Sequence, residues 1–179
     1  MGTELFFKCE NFKKVGAFKA RGATNAVFSL EESQTVHGVA THSSGNHAQA
    51  LSWAAALRNL PAYIVMPENS SPVKISAVKD YGGIITFCKP TLAAREETLS
   101  EVIAATGAIE IHPYNDLRII AGQATAAAEL LEDIQDIDLL LAPIGGGGLL
   151  SGTALSVHYF SPKTKVIAAE PERANDAWL

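Results

Sequence analysis

Apolar and polar positions along the chain alternate between two rhythms. Short apolar runs that suit strands cover Leu5 to Glu10, Gly38 to Thr41, Ala62 to Met66, Ile84 to Cys88, Ala108 to Ile111, Leu139 to Ile144 and Lys165 to Ala169. Between them, apolar residues recur at helical spacing over Phe18 to Leu30, Ala48 to Leu57, Pro72 to Tyr81, Leu92 to Thr106, Leu117 to Ile134 and Leu149 to Tyr159. In the helix from Leu117, the set Leu117, Ile120, Ala121, Ala124, Ala128 and Leu131 predicts one apolar stripe. The nearly unbroken run Leu139 to Ile144 predicts a strand buried on both faces. Repeated strand-helix alternation predicts an α/β fold: open, mainly parallel sheets with helices on both faces and ligand sites at the carboxyl ends of the strands.

Composition narrows the partners. Of 179 residues 47% are hydrophobic and 18% charged, enough to bury a real core in one large or two small domains. Acids outnumber bases 19 to 14, a formal charge of -5, and no dense Lys/Arg cluster could track a nucleic-acid backbone. No apolar run nears the roughly 20 residues that span a bilayer, and no signal-peptide pattern opens the chain. The expectation is a soluble, cytoplasmic protein. Cys9 and Cys88 sit apart in apolar surroundings, which predicts reduced, packed thiols.

Three loops carry chemistry. The segment Ile144-Gly145-Gly146-Gly147-Gly148-Leu149 fills the corner between a predicted strand and a helix N-terminus. Without Cβ atoms the backbone there can crowd a ligand and aim several N–H groups, with the helix dipole, at one spot that suits a phosphate. The dinucleotide fingerprint fails, since Leu150 or Ser151 stands where a small third residue belongs; a P-loop fails because Thr153 replaces its lysine. A single phosphate on a small cofactor fits better, and a plain glycine turn stays open as the alternative.

In Gly16-Ala17-Phe18-Lys19-Ala20-Arg21-Gly22, one lysine opens a helix, where the dipole disfavours it. Desolvation and a positive dipole lower an amine pKa, as imine chemistry requires, although for this segment alone a solvated surface lysine is the favoured reading. Ser43-Ser44-Gly45-Asn46-His47 brings three capping-type residues before one helix, more than capping needs, so the surplus could hold a ring hydroxyl or a substrate carboxylate. His47 has no partner at zinc-ligand spacing except His42 across a turn, which argues against zinc.

Taken together and in this order, Ala17 to Ala23, Ser43 to His47 and Gly145 to Leu149, with Glu170-Pro171 behind them, resemble the fold-type II (tryptophan synthase beta-like) pyridoxal-phosphate enzymes. Within these the chain is most similar to the serine racemase and serine/threonine dehydratase branch, over essentially its whole length. The resemblance implies pyridoxal 5'-phosphate as cofactor, Lys19 as its imine-forming amine and Phe18 beside its ring. It further implies Asn46 on the ring hydroxyl and the backbone of Gly145, Gly146, Gly147 and Gly148 on the phosphate. Ser43, Ser44, Gly45 and His47 would then line the substrate carboxylate site, with Ser44 as the second acid/base.

That scheme takes the Cα proton of serine or threonine with the freed Lys19 amine. Loss of the β-hydroxyl then gives a keto acid and ammonia, and proton return from Ser44 gives racemisation. Hydroxyaspartate is an equally open substrate. Glu170, the Ala174 carbonyl and Asp176 match a divalent cation site suited to magnesium or calcium. Glu170 alone, roughly 20 residues past the glycine corner, also suits a ribose-binding acid, which the failed fingerprint disfavours. Gln49 and Tyr81 match positions near a nucleotide effector site in eukaryotic racemases, most of which is expected outside this chain.

Members of this family are nearly twice as long. The expectation is a chain truncated at both ends: a small domain over residues 38–115, and residues 1–37 and 116–179 as partial large domain, exposing sheet edges and apolar surface. Self-association as a homodimer would cover such surface. The alternative from another class is a catalytically silent fragment or small-ligand binding domain that retains the fold.

Overall fold

The structure, a computed structural model, describes residues 2–175 and 177. Four parallel strands form one sheet in the order β3-β2-β1-β4: β1 (Val39–His42), β2 (Ala62–Pro67), β3 (Ile84–Cys88) and β4 (Ile109–Glu110). Val39 lies opposite Ala62 on one side and Ile109 on the other, so the carboxyl ends of all four strands share one edge. A second, two-stranded parallel sheet pairs β5 (Leu139–Pro143) with β6 (Lys165–Ala169).

Helices cover both faces of the first sheet. On one side α1 (Lys19–Phe28), α3 (Asn46–Leu57) and α4 (Pro72–Asp80) meet β1 and β2 through Ala26, Val27, Leu51, Ala54, Ile64, Met66 and Val78, all fully buried. On the other, α5 (Leu92–Thr106) packs Leu99 on Ala40, Val65 and Cys88. Alanine dominates α3, and this is why a helix can lie so close to both α1 and the sheet. Thr91 caps α5, its hydroxyl accepting from the Ala94 N–H at 3.2 Å, and Gly107 ends the helix in the left-handed region. A short helix, α2 (Glu32–Thr35), closed by a capping box between Glu31 and Gln34, was not predicted from the apolar pattern.

Long α6 (Leu117–Asp133) joins the two sheets, lying against α1 and α7 (Gly148–Phe160), while Ala127 and Leu131 meet Leu140 and Val157 in a third core. Its buried face meets the predicted stripe only in part, at Leu131 and the half-buried Ile120, Ala124 and Ala128. Ile119, Gly122, Gln123, Ala126, Ala127 and Leu131 are buried, whereas Leu117 is 83% exposed and Ala121 faces solvent. The reason is close backbone approach: a Cβ on Gly122 would come within 2.5 Å of the Gly22 Cα, so small residues, not large apolar ones, mark the contact with α1.

Three further expectations are corrected. Leu5 to Glu10 forms no strand; the segment has no ladder partner among the described residues, Phe6 and Phe7 are exposed, and a 3-10 turn follows over Glu10–Phe12. Cys9, expected to be packed, is exposed with it, while Cys88 is buried, which pushes its thiol pKa up. Strand β5 is buried on one face only: Leu140 and Ala142 point at α6 and α7, but Leu139 and Leu141 are 49% and 62% exposed, because nothing among the described residues covers the outer face of the β5–β6 sheet. Among the described residues, no helix is long and apolar enough to cross a membrane.

Candidate active site

Each functional loop of the sequence follows a strand at the carboxyl edge or opens a helix beside it. Strand β5 ends at Pro143, and the glycine corner turns directly into α7. Gly147, the N-cap, sits at φ +85°, a conformation that costs glycine nothing and other residues strain. No side chain caps α7, and the N–H groups of Gly145, Gly146, Gly147 and Gly148 have no acceptor among the described residues. Four unsatisfied donors at the positive end of a helix make a cradle for an anion, so a phosphate group fits the residues present.

Lys19 opens α1 and projects into the same space. A cavity of about 270 Å³ is lined by Phe18, Lys19, Tyr114, Ile144, Gly145 to Gly148 and Leu149. The Lys19 Nζ donates to the Pro113 carbonyl at 2.6 Å and lies 5.4 Å from the Phe18 ring centroid. Among the described residues it pairs with no carboxylate, and burial lowers its pKa from 10.5 to about 8. The lysine that the sequence left ambiguous is therefore a desolvated amine beside an anion cradle, the pairing an aldehyde-bearing phosphate cofactor needs.

The Ser43–His47 loop takes up position after β1. The Ser43 N–H pairs with the Val65 carbonyl, and the Ser43 hydroxyl accepts from the Gly45 N–H at 3.2 Å. Ser44 and Asn46 are exposed, and none of Ser43, Ser44, Gly45, Asn46 or His47 lines the cavity around Lys19. His47 is buried beneath, its Nε2 3.2 Å from the Ile111 carbonyl and its Nδ1 without a partner among the described residues. Burial above all, with the Lys19 charge second, lowers its pKa from 6.5 to about 3.

This fixes the sign of a pH effect. Below pH 6.5 the unfolded chain binds a proton that folded His47 refuses until about pH 3, so stability is full above 6.5 and falls as pH drops through that window. Between pH 6.5 and 5.5 the expected loss is about 1 kcal/mol. Urea midpoints at the two pH values check it: they should separate in the wild type and converge in His47→Gln. An equal separation in both proteins would remove His47 as the cause.

Sequence reasoning missed the loop that ties these parts together, Ile111 to Asp116 after β4. Its Ile111 carbonyl meets His47, its Pro113 carbonyl meets Lys19, and the Tyr114 ring covers Gly146, where an added Cβ would fall 2.2 Å from the ring. Its place at a strand's carboxyl end was the available signal; the loop carries no motif that announces it. Of the proposed cation ligands, Glu170 and Ala174 fall within the described residues and Asp176 does not. Glu170 accepts from the Ala177 N–H at 3.3 Å, and no group of three or more His, Cys, Asp or Glu side chains able to hold a metal occurs among the described residues.

A profile of the family described as "Pyridoxal-phosphate dependent enzyme" matches residues 1–177. The chain is 56% identical over 177 residues to the beta-hydroxyaspartate dehydratase of Paracoccus denitrificans, covering 99% of this chain and 56% of that protein. The crystal structure of serine racemase from Dictyostelium discoideum superposes with a TM-score of 0.94 at 49% identity, covering 99% of this chain and 58% of that one. The structure of the processed form of threonine deaminase isoform 2 from Solanum lycopersicum gives 0.87 at 36% identity, covering 93% and 48%. The chain thus spans about half the length of the relatives it matches.

Proposed function

The chain belongs to the pyridoxal-phosphate-dependent enzyme family, and from that premise we propose that it acts as a serine/threonine dehydratase or serine racemase, with β-hydroxyaspartate as a further substrate of the same kind. One observation carries the reading: the amine of Lys19, its pKa lowered to about 8 by burial, shares a cavity with the four unsatisfied N–H groups of Gly145 to Gly148. Bound there, pyridoxal phosphate supplies an aldehyde that condenses with amines and a conjugated ring that takes up electron density from a substrate Cα.

The protein's own groups do the rest. Gly145 to Gly148 would hold the phosphate, Phe18 would lie beside the ring, and Asn46 would donate to the ring hydroxyl. With a pKa of about 8, roughly a tenth of the Lys19 amine is free base near pH 7, against well under a thousandth for an ordinary lysine. Lys19 therefore accepts the Cα proton as general base. Ser43, Gly45 and His47 shape the carboxylate end of the substrate. Loss of the β-hydroxyl and hydrolysis release a keto acid and ammonia, and a proton returned from Ser44 gives the opposite enantiomer.

The proposal extends to organisation. Residues 38–115 form the small domain, which contains the whole four-stranded sheet, and 1–37 with 116–179 belong to a larger one, which contains the β5–β6 sheet. Exposed Leu139 and Leu141 support pairing into a homodimer, and the exposed free thiol of Cys9 suits the reducing cytoplasm. The test is turnover after addition of pyridoxal phosphate. L-serine, L-threonine and β-hydroxyaspartate are each followed for keto acid, ammonia and inverted product; production from at least one supports the reading. A protein that binds the cofactor and turns over none of them is instead a small-ligand binding domain that retains the fold.

A further inference from the structure

The loop from Ile111 to Asp116 is folded by a side chain that the reading above leaves without a role. His112 Nδ1 lies 2.9 Å from the Asn115 backbone N and 3.3 Å from the Tyr114 backbone N. Backbone N–H groups can only donate, so Nδ1 is the bare acceptor and the ring proton sits on Nε2. This is the turn that Asn and Asp side chains make with the backbone two and three residues on, here made by an imidazole. The ring is held in place edge to face, 4.6 Å from the Tyr114 ring and 6.1 Å from the His42 ring.

The consequence lies at the residues between. The turn that His112 closes carries Pro113, whose carbonyl takes the Lys19 amine at 2.6 Å, and Tyr114, whose ring lies over Gly146. Both halves of the cavity, amine and anion cradle, thus touch one short segment whose shape a single nitrogen sets. We propose that His112 is a positioning residue: by accepting from the Tyr114 and Asn115 N–H groups it folds the loop so that Pro113 holds Lys19 and Tyr114 closes the glycine corner. The proposal rests on the cofactor reading for its function, but not for its test.

Two substitutions separate the acceptor from the ring. His112→Asn keeps an acceptor able to make the same turn; His112→Phe keeps a ring and its edge contacts but accepts nothing, and His112→Leu serves if the phenylalanine variant does not fold. The readout is the Lys19 side-chain titration without cofactor, followed by NMR in protein labelled at lysine Cε. The wild-type midpoint is expected near 8, as burial dictates. His112→Asn should keep it, and His112→Phe should rehydrate the amine and raise the midpoint by about one to two pH units toward an ordinary lysine.

An unmoved midpoint in His112→Phe, or one raised equally in His112→Asn, overturns the proposal. Adding pyridoxal phosphate to the same samples keeps the two readings apart. If the midpoints behave as described and no cofactor adduct forms at Lys19, the positioning role stands and the cofactor reading falls. With both intact, adduct formation at pH 8 should slow by roughly 5- to 50-fold in His112→Phe and little in His112→Asn.

Discussion

Lys19→Ala leaves a folded chain that no longer develops the absorbance of a protonated cofactor imine and whose turnover of serine or threonine falls by roughly 10³-fold or more. The expectation follows from two roles resting on one atom. Its amine is the one lysine group that lines the cavity with Gly145 to Gly148, and in the proposed mechanism it is also the group that takes the Cα proton. General-base contributions alone are typically about 10²–10⁴ in rate, and losing the covalent anchor adds to that. Folding should survive, because the side chain's hydrogen bond is the single one to the Pro113 carbonyl, worth about 1 kcal/mol. An imine band that persists in Lys19→Ala would show that another lysine carries the cofactor.

Arg21→Ala should cost about 3–5 kcal/mol of stability, a large share of the roughly 5–15 kcal/mol a domain commands. The Arg21 side chain is only 8% exposed, and its guanidinium bonds Glu10 through Nε and Nη2 at 2.8 and 3.0 Å and both Glu129 oxygens at 2.7 Å. It thereby staples the segment before α1 to α6, and its removal leaves Glu10, 15% exposed, without that partner. Arg21→Met, which fills the space without charge, should lose less than Arg21→Ala if packing of the alkyl stem shares the work. The Arg21 hydrogen bonds lower the Glu129 pKa from 4.5 to about 2, so the contribution is full above pH 4.5 and disappears as pH falls toward 2. Because Glu129 is 42% exposed, solvent weakens its share, and the larger part of the loss is expected from Glu10. A urea midpoint unchanged by Arg21→Ala at pH 7 would contradict this.

The parts legible in the sequence were those where a residue type is forced by what it must do. Strand-helix alternation gave the parallel sheets because the two periodicities are distinct over β1 to β3 and α3 to α5. The glycine corner was legible because few residues tolerate its backbone, Lys19 only through the family resemblance, and the structure lines one cavity with both. The role of Arg21 was not legible, although the residue lay inside a quoted motif, since its partners Glu10 and Glu129 are 11 and 108 positions away.

Where apolar pattern alone was the guide, tertiary contacts overrode it. The face of α6 departs in part from the apolar stripe because Gly122 and Gln123, not large apolar residues, meet α1. Leu5 to Glu10 has a strand's composition and finds no partner among the described residues; β5 has the composition of a strand buried on both sides and one side is bare. The loop from Ile111 to Asp116 escaped because its work is done by backbone carbonyls and a histidine turn, and a carbonyl is carried by every residue.

The central claim is that Lys19 and the glycine corner together make a working cofactor site in this chain. Its most direct test is to add pyridoxal phosphate to the purified protein, reduce with borohydride and map the labelled peptide. The expected result is one phosphopyridoxyl group per chain, on Lys19. A folded protein that takes no label, or takes it on the exposed lysines in place of Lys19, would contradict the account.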